Sequence, residues 1–225
     1  MIADLHTHTR HSFDSIVYPR DAVRVARKKG LTALAITDHG SLSGALEAES
    51  YARGTDLQII VGEEIATDEG DLVGLFLENE VARGPVDRVV EEIRRQGGIV
   101  SLPHPSRGHK SPETLVPWVD VVEGFNARTS PENNAAGQAL ARAYGKPAIA
   151  VSDAHFPREI GNSRVTTSSS DLREALLRRE FSVLTAYNPA YLFAASQLIK
   201  SLRLQTYATI PKQLGWIVVS IVRRR

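Results

Sequence analysis

Ile2-Ala3-Asp4-Leu5-His6-Thr7-His8 is the stretch whose reading decides the fold: a short apolar run that ends in two histidines. On an extended strand, residues two apart share a face, so His6 and His8 form a chelating pair of imidazoles at a strand end. The same pattern returns along the chain. Leu34-Ala35-Ile36 runs into Thr37-Asp38-His39, and Ala148-Ile149-Ala150-Val151 runs into Ser152-Asp153-Ala154-His155. Ile59-Ile60-Val61-Gly62 ends in Glu63-Glu64, and Ile99-Val100-Ser101-Leu102-Pro103 ends in His104. Short apolar runs of this kind predict buried parallel strands. Metal-binding side chains at the C-terminal ends of successive strands predict an active site at a barrel mouth. A multinuclear metal centre follows, and hydrolysis is its natural chemistry.

Between these runs the pattern predicts helices near 19–29, 42–53, 85–96, 112–117, 132–144 and 171–179. Strands are expected at 2–6, 33–37, 58–62 (continuing toward Ile65), 72–77, 99–102, 119–123, 147–151 and, shorter, 181–185. Pro19 and Pro85 open helices, while Gly30, Gly54 and Gly97 close them. Ser168-Ser169-Ser170 is expected to cap the helix starting at Asp171. Strand–helix alternation implies an α/β fold with a parallel sheet. Ligands on most strand ends favour a closed barrel over an open sheet, whose site would sit at one switch point. From about residue 188 the pattern changes. A helical stretch from Pro189 to Leu204 and an apolar segment from Leu214 to Val222 form a C-terminal appendage. The expected division is therefore a barrel over 1–187 and a basic, apolar appendage over 188–225.

With no cysteine, neither disulfides nor thiolate sites can form, so imidazole and carboxylate must hold any metal. That donor mixture suits Zn, Mn or Fe. The net charge of +1 is unevenly placed. Segment 181–225 has no acid and six basic residues, leaving a body with 21 basic against 26 acidic side chains. An acidic body argues against binding long nucleic acid. The first apolar run starts at residue 2, so a secretory leader is not expected and cytoplasmic location is the default expectation.

All seven histidines (6, 8, 11, 39, 104, 109, 155) lie at or just beyond the strand ends. As a group they point to metal; His11 and His109 are equally readable as supporting or solvent-exposed residues. Asp4 shares a face with the histidine pair and could orient an imidazole. Asp38 points away from the site and reads as structural. Asp153 shares a face with His155. Glu64 can bridge two metals, whereas Glu63 alternates away and reads as solvated or ion-paired. Asp14, in Ser12-Phe13-Asp14-Ser15, would ordinarily be a turn residue.

These motifs resemble the polymerase and histidinol phosphatase (PHP) superfamily of metal-dependent phosphoesterases. The resemblance rests on Asp4–Thr9, Ser12–Ser15, Ile36–Gly40, Gly62–Ile65, Pro103-His104-Pro105 and Ser152–His155, in that order. It implies a distorted seven-stranded β/α barrel with two or three divalent metal ions. By that analogy His6, His8, Glu64 and Asp153 hold the first, Glu64 and His104 the second, and Asp14, His39 and His155 surround the third. One position departs from the pattern: where the family often has a histidine opening the next strand, this chain has Asp71. It reads either as a carboxylate substitute or as part of a plain turn.

The resemblance and the ligand chemistry together lead to a phosphoesterase acting on a small phosphorylated metabolite or nucleotide. His39, His155 and Asp153 are the expected catalytic side chains, with a histidine protonating the leaving oxygen. Arg107, Lys110, Arg128 and Arg164 are candidates for a non-transferring phosphate, and Asn126 for a hydrogen bond to substrate. The alternatives are a nuclease trimming short oligonucleotides, a non-catalytic barrel serving as an interaction module, and a zinc-dependent deacetylase or amidohydrolase. For the appendage, packing on the barrel or homodimer contact is preferred over membrane-surface attachment. In the latter reading Trp216–Val222 would enter the interface and Arg223–Arg225 would meet anionic lipid.

Overall fold

The computed structural model describes residues 1–222. Its elements are β1 (Ile2–Asp4), α1 (Pro19–Lys28), β2 (Ala33–Ile36), α2 (Ser43–Ala52), β3 (Gln58–Ala66), β4 (Asp71–Leu75), α3 (Val86–Arg95), β5 (Ile99–Leu102), α4 (Pro112–Leu115), β6 (Val121–Asn126), α5 (Pro131–Ala143), β7 (Ala148–Val151), β8 (Arg164–Thr166), α6 (Leu172–Arg178), β9 (Ser182–Leu184), α7 (Ala190–Arg203) and α8 (Ile210–Val222). One sheet carries the order β7-β6-β5-β4-β3-β2-β1-β8-β9. The sheet curls so that β7, at one end of this order, approaches β1 where Thr7, just past β1, bridges in parallel to Ala154, just past β7. The His8 amide donates to the Ala154 carbonyl at 2.8 Å. A mixed sheet thus nearly closes into a barrel flanked by helices.

Two expectations are corrected. The sheet has nine strands rather than seven: β9 is the short strand expected at 181–185, and β8 is a three-residue strand with no apolar run to announce it, pairing antiparallel with β1 and with β9. Nor is the sheet all parallel. β4 runs antiparallel to both β3 and β5, since residues 67–70 form a loop too short for a crossover helix. A smaller correction concerns α6. Asp171 itself is its N-cap, accepting from the Glu174 amide at 3.0 Å, and Ser169 braces Asp171 from outside.

Side-chain alternation explains the core. On β2, Ala33 and Ala35 face the barrel interior with Leu5, Ile60, Leu75, Ile99 and Ile149. Leu34 and Ile36 face outward, against Ala22 and Ala26 of α1 and Ala45 and Ala48 of α2. Small residues inside suit a narrow barrel, and large ones outside fill the space beneath the helices. On the far side Val89, Val90 and Ile93 of α3 cover Val100, Leu102 and Val122. Each fully buried Leu or Ile contributes roughly 1.5–3 kcal/mol. Charged and polar groups can then collect at one end of the strands.

α7 lies across that end. Arg203 donates to the Ser12 carbonyl at 2.6 Å, Arg158 bonds the Tyr191 hydroxyl at 2.7 Å, and Arg128 bonds the Ser196 hydroxyl. α8 folds back on α7 and leaves its own apolar residues largely exposed. None of the described helices is long and apolar enough to cross a membrane. The lipid contact considered for Arg223–Arg225 falls outside the described residues.

Candidate metal centre

At the mouth, His6 Nε2 and His8 Nε2 lie 2.9 Å apart. Glu64 Oε2 is 3.3 Å from the first and 3.2 Å from the second. Asp153 Oδ1 is 3.8 and 3.6 Å from the same two nitrogens. Four bonds of about 2.1 Å directed tetrahedrally would space their donors about 3.4 Å apart, so these separations suit a shared cation. Glu64 turns its second oxygen, Oε1, to His104 Nε2 at 3.3 Å. Beside this group, Asp14 Oδ2 lies 3.2 Å from His155 Nε2 and 3.5 Å from His39 Nε2. The ligand atoms of His8, Asp14, His39 and His155 also cluster closely enough for one ion. Asp14 Oδ1 is buried with no hydrogen-bond partner among the described residues.

The far sides of the rings are tied down. His6 Nδ1–H donates to Glu123 Oε1 at 2.6 Å. His8 Nδ1–H reaches the Ser12 hydroxyl at 3.2 Å, which in turn donates to Asp38 at 2.6 Å. His104 Nδ1–H donates to the Arg107 carbonyl and His155 Nδ1–H to the Asp153 carbonyl. Each bond leaves an Nε2 lone pair facing the shared space, which is how metal-ligating histidines are oriented. His104 and Asp153 hold positive φ values of 28° and 50°, a strained backbone of the kind concentrated at functional sites.

The carboxylates of the cluster favour positive charge beside them. Burial alone would lower the His8 pKa, but its bonds to Asp153 and Glu64 raise it to about 9. Burial is likewise overcome at His6, held well above its ordinary value by Glu123 and Asp153. Burial would raise the Glu64, Asp14 and Asp153 carboxyls, yet neighbouring imidazoles, and for Asp153 chiefly Arg107, hold all three below the usual carboxylate range. His155 moves the other way, lowered to about 4 by burial and by Arg128, so it presents a neutral imidazole. A cluster that draws protons onto buried histidines fits a divalent cation as their replacement.

His6, His8, Asp14, His39, Glu64, His104, Asp153 and His155 converge. Asp71 lines the same cleft but belongs to neither donor cluster; burial raises its carboxyl pKa and the charge of Glu64 adds to this. Arg107 and Arg128 line the cleft, and Arg107 donates to Asp153 at 2.6 Å. Asn126 is not among the residues lining the cleft. It is fully buried behind the ligands, its amide donating to Glu123 and Asp153. Arg164 is also removed from the site, bonding the Gly161 carbonyl from β8. Asp4 orients no imidazole; it accepts from Ser152 and the Gly161 amide and so pins β1 to the segment after β7. Glu63 is buried, not solvated, and accepts from the Val81 amide. Asp38 accepts from the Thr9 amide and from the Ser12 hydroxyl that meets His8.

Glu123 is a functional residue outside the sequence-derived set, although a lone charge inside Val121-Val122-Glu123 is a visible signal. Phe193, Gln197 and Lys200 of α7, which line the cleft of about 300 Å³, also lie outside that set. Their helical spacing gave no such signal.

Comparison with known proteins agrees with this geometry. Residues 4–126 match the PHP domain and residues 131–181 match the PHP-associated region. An uncharacterised protein of Methanocaldococcus jannaschii is 31% identical over 216 residues, covering 89% of this chain and 86% of its own. A second from the same organism is 37% identical over 116 residues, 47% of this chain and 68% of its own. Among solved structures, a two-domain protein from Bacteroides vulgatus containing a predicted PHP-like metal-dependent phosphoesterase superposes with a TM-score of 0.68 at 19% identity, over 83% of this chain and 65% of that one. With the PHP domain matching more than half its length, this chain belongs to the PHP superfamily of metal-dependent phosphoesterases.

Proposed function

We propose that the protein hydrolyses the phosphoester of a small phosphorylated metabolite or nucleotide, using two or three divalent ions drawn from Zn, Mn or Fe. The observation that carries this reading is the set of inward Nε2 lone pairs and carboxylate oxygens, 2.9–3.8 Å apart, with every far Nδ1 of His6, His8, His104 and His155 engaged elsewhere. His6, His8, Glu64 and Asp153 would hold one ion, Glu64 and His104 a second, and Asp14, His39 and His155 a third. Divalent metal supplies a water acidic enough to give hydroxide near neutral pH and positive charge against the phosphoryl oxygens.

The chain's own residues do the rest. Arg107 neutralises Asp153 on one side and borders the space for the phosphoryl group on the other. Lys200 contributes a further cation from the α7 side. In a two-ion centre His39 is free to protonate the leaving oxygen. Its side chain is 23% exposed, against 9% or less for His6, His8, His104 and His155, and Phe13 stacks on it at 4.5 Å to fix its plane. Asp153, bonded by Arg107 and Asn126, acts as a ligand and keeps His155 in place. The acidic body favours small substrates over oligonucleotides.

The test is a panel of phosphate esters run after chelation and again after adding Mn, Fe or Zn, alongside elemental analysis of the purified protein. Chelation should abolish turnover and one of these metals should restore it. His104→Ala and His155→Ala should lower turnover strongly with the circular-dichroism spectrum intact. Full activity in both variants contradicts the reading.

A further inference from the structure

No residue of α8 is buried, although most of its side chains are apolar. At 100° per residue, Ile221, Leu214, Val218, Val222, Val219 and Trp216 follow one another around about 220° of the helix. Each of them is 49–63% exposed. The half-buried remainder, Ile210, Gln213 and Ile217, lies on the arc that meets α7, where Gln213 donates to the Ser201 hydroxyl at 2.6 Å. An amphipathic helix packed on one neighbour needs an apolar stripe about 100° wide. A further helix laid against α8 would therefore cover roughly half of the outer arc. A planar apolar phase takes in a whole side of a helix at once.

The charge around this face has one sign. Residues 181–225 contain no Asp or Glu. Lys212 stands exposed in the first turn of α8, and Arg223-Arg224-Arg225 follow Val222 directly in sequence. α8 walls two hollows, of about 350 and 670 Å³. Lys212 lines the first, Arg107 and Arg128 line the second, and no carboxylate lines either. Residues 1–180, by contrast, carry more acid than base. A homodimer built in the usual isologous way presents the same patch from both copies, and here that sets like charges against each other. An anionic lipid surface attracts this face and repels the acidic remainder, which favours one orientation. Trp216 adds the side chain that best suits the headgroup boundary.

We propose that α8 is a membrane-surface helix, its outer apolar arc entering the headgroup boundary of an anionic bilayer with Lys212 and the arginines after Val222 meeting lipid phosphates. With 13 residues it lies in the interface and does not span. Sequence pattern favours packing or dimer contact for this segment because it does not reveal how much of α8 stays uncovered. The proposal is independent of the phosphoesterase reading.

Co-sedimentation of the full-length protein with vesicles of phosphatidylcholine alone, and of an equal mixture of phosphatidylcholine and phosphatidylserine, tests this. Binding to the mixture should be at least about tenfold tighter and should weaken as salt rises. Val218→Glu combined with Val222→Glu should reduce it by about tenfold or more. These side chains are 61 and 63% exposed, so the circular-dichroism spectrum should not change. Trp118→Phe leaves Trp216 as the sole tryptophan, and its emission should shift to the blue with the mixed vesicles. No binding to the mixture, binding that the double substitution leaves unchanged, or a Trp216 shift that appears without lipid as protein concentration rises overturns the proposal. The last result would assign the face to a second copy of the chain.

Discussion

Glu123 shows how much a single buried residue can govern here. One oxygen holds His6 Nδ1–H, while the other accepts the His104 amide and the Asn126 side chain. Glu123→Gln keeps the shape but loses the charge that favours a strongly donating imidazole. Metal affinity, read by competition with a chromophoric chelator, should fall about 10- to 100-fold, the usual cost of losing such a partner; unchanged affinity would show that His6 is oriented by packing alone. Glu63 offers a second case with the opposite sign. Burial pushes its carboxyl up to about 7, so between the ordinary carboxylate value of 4.5 and that pH the folded state holds a proton the unfolded state has released. Stability contributed by the neutral form is therefore lost as pH rises through this window. Glu63→Gln should have little effect on Tm at pH 4 and raise it increasingly, relative to wild type, from pH 5 to pH 8. A constant difference across that range would remove Glu63 as the cause.

At the scale of elements, the site depends on close approach between α2 and the loop after β1. A Cβ on Gly44 would lie 2.0 Å from Asp38 Oδ2 and 2.3 Å from Thr9 Oγ1. Only glycine lets the helix seat against Asp38, which accepts from the Thr9 amide and the Ser12 hydroxyl and, through Ser12, positions His8. Gly44→Ala should cost about 1–3 kcal/mol of stability, the usual penalty of overpacking, and weaken metal binding as well. Thermal unfolding with and without added Mn measures both, and an unaltered Mn-dependent shift would separate α2 packing from the site. Elements also show where sequence pattern stops being informative. Continuous apolar runs made β2, β3, β5 and β7 legible. β8 was not, because three residues carry no period; its pairing with β1 makes it a strand. The antiparallel direction of β4 likewise depends on loop length, which apolar pattern does not encode.

For the whole molecule, α7 and α8 raise the question of what covers the apolar surface left outside. Trp216, Val218 and Val222 are 60, 61 and 63% exposed. Removing residues 206–225 leaves the metal ligands and α7 in place, so hydrolysis of a small ester should persist while vesicle binding that needs anionic lipid disappears. A changed oligomeric state in sedimentation would instead favour a second copy. The sequence by itself marked the histidines and carboxylates that converge at the mouth, and the α/β character. Ligand chemistry restricts residue types, and apolar period restricts strand and helix, so both leave a local mark. Only the tertiary structure decided which carboxylates stand behind the ligands, that Asn126 and Arg164 are not at the cleft, and that α7 lines it. Those are contacts between residues far apart in the chain: His6 with Glu123, Arg128 with Ser196, Arg203 with Ser12. Such pairs are set by how β1 and β7 meet and by where α7 crosses, and no local pattern of residues records either.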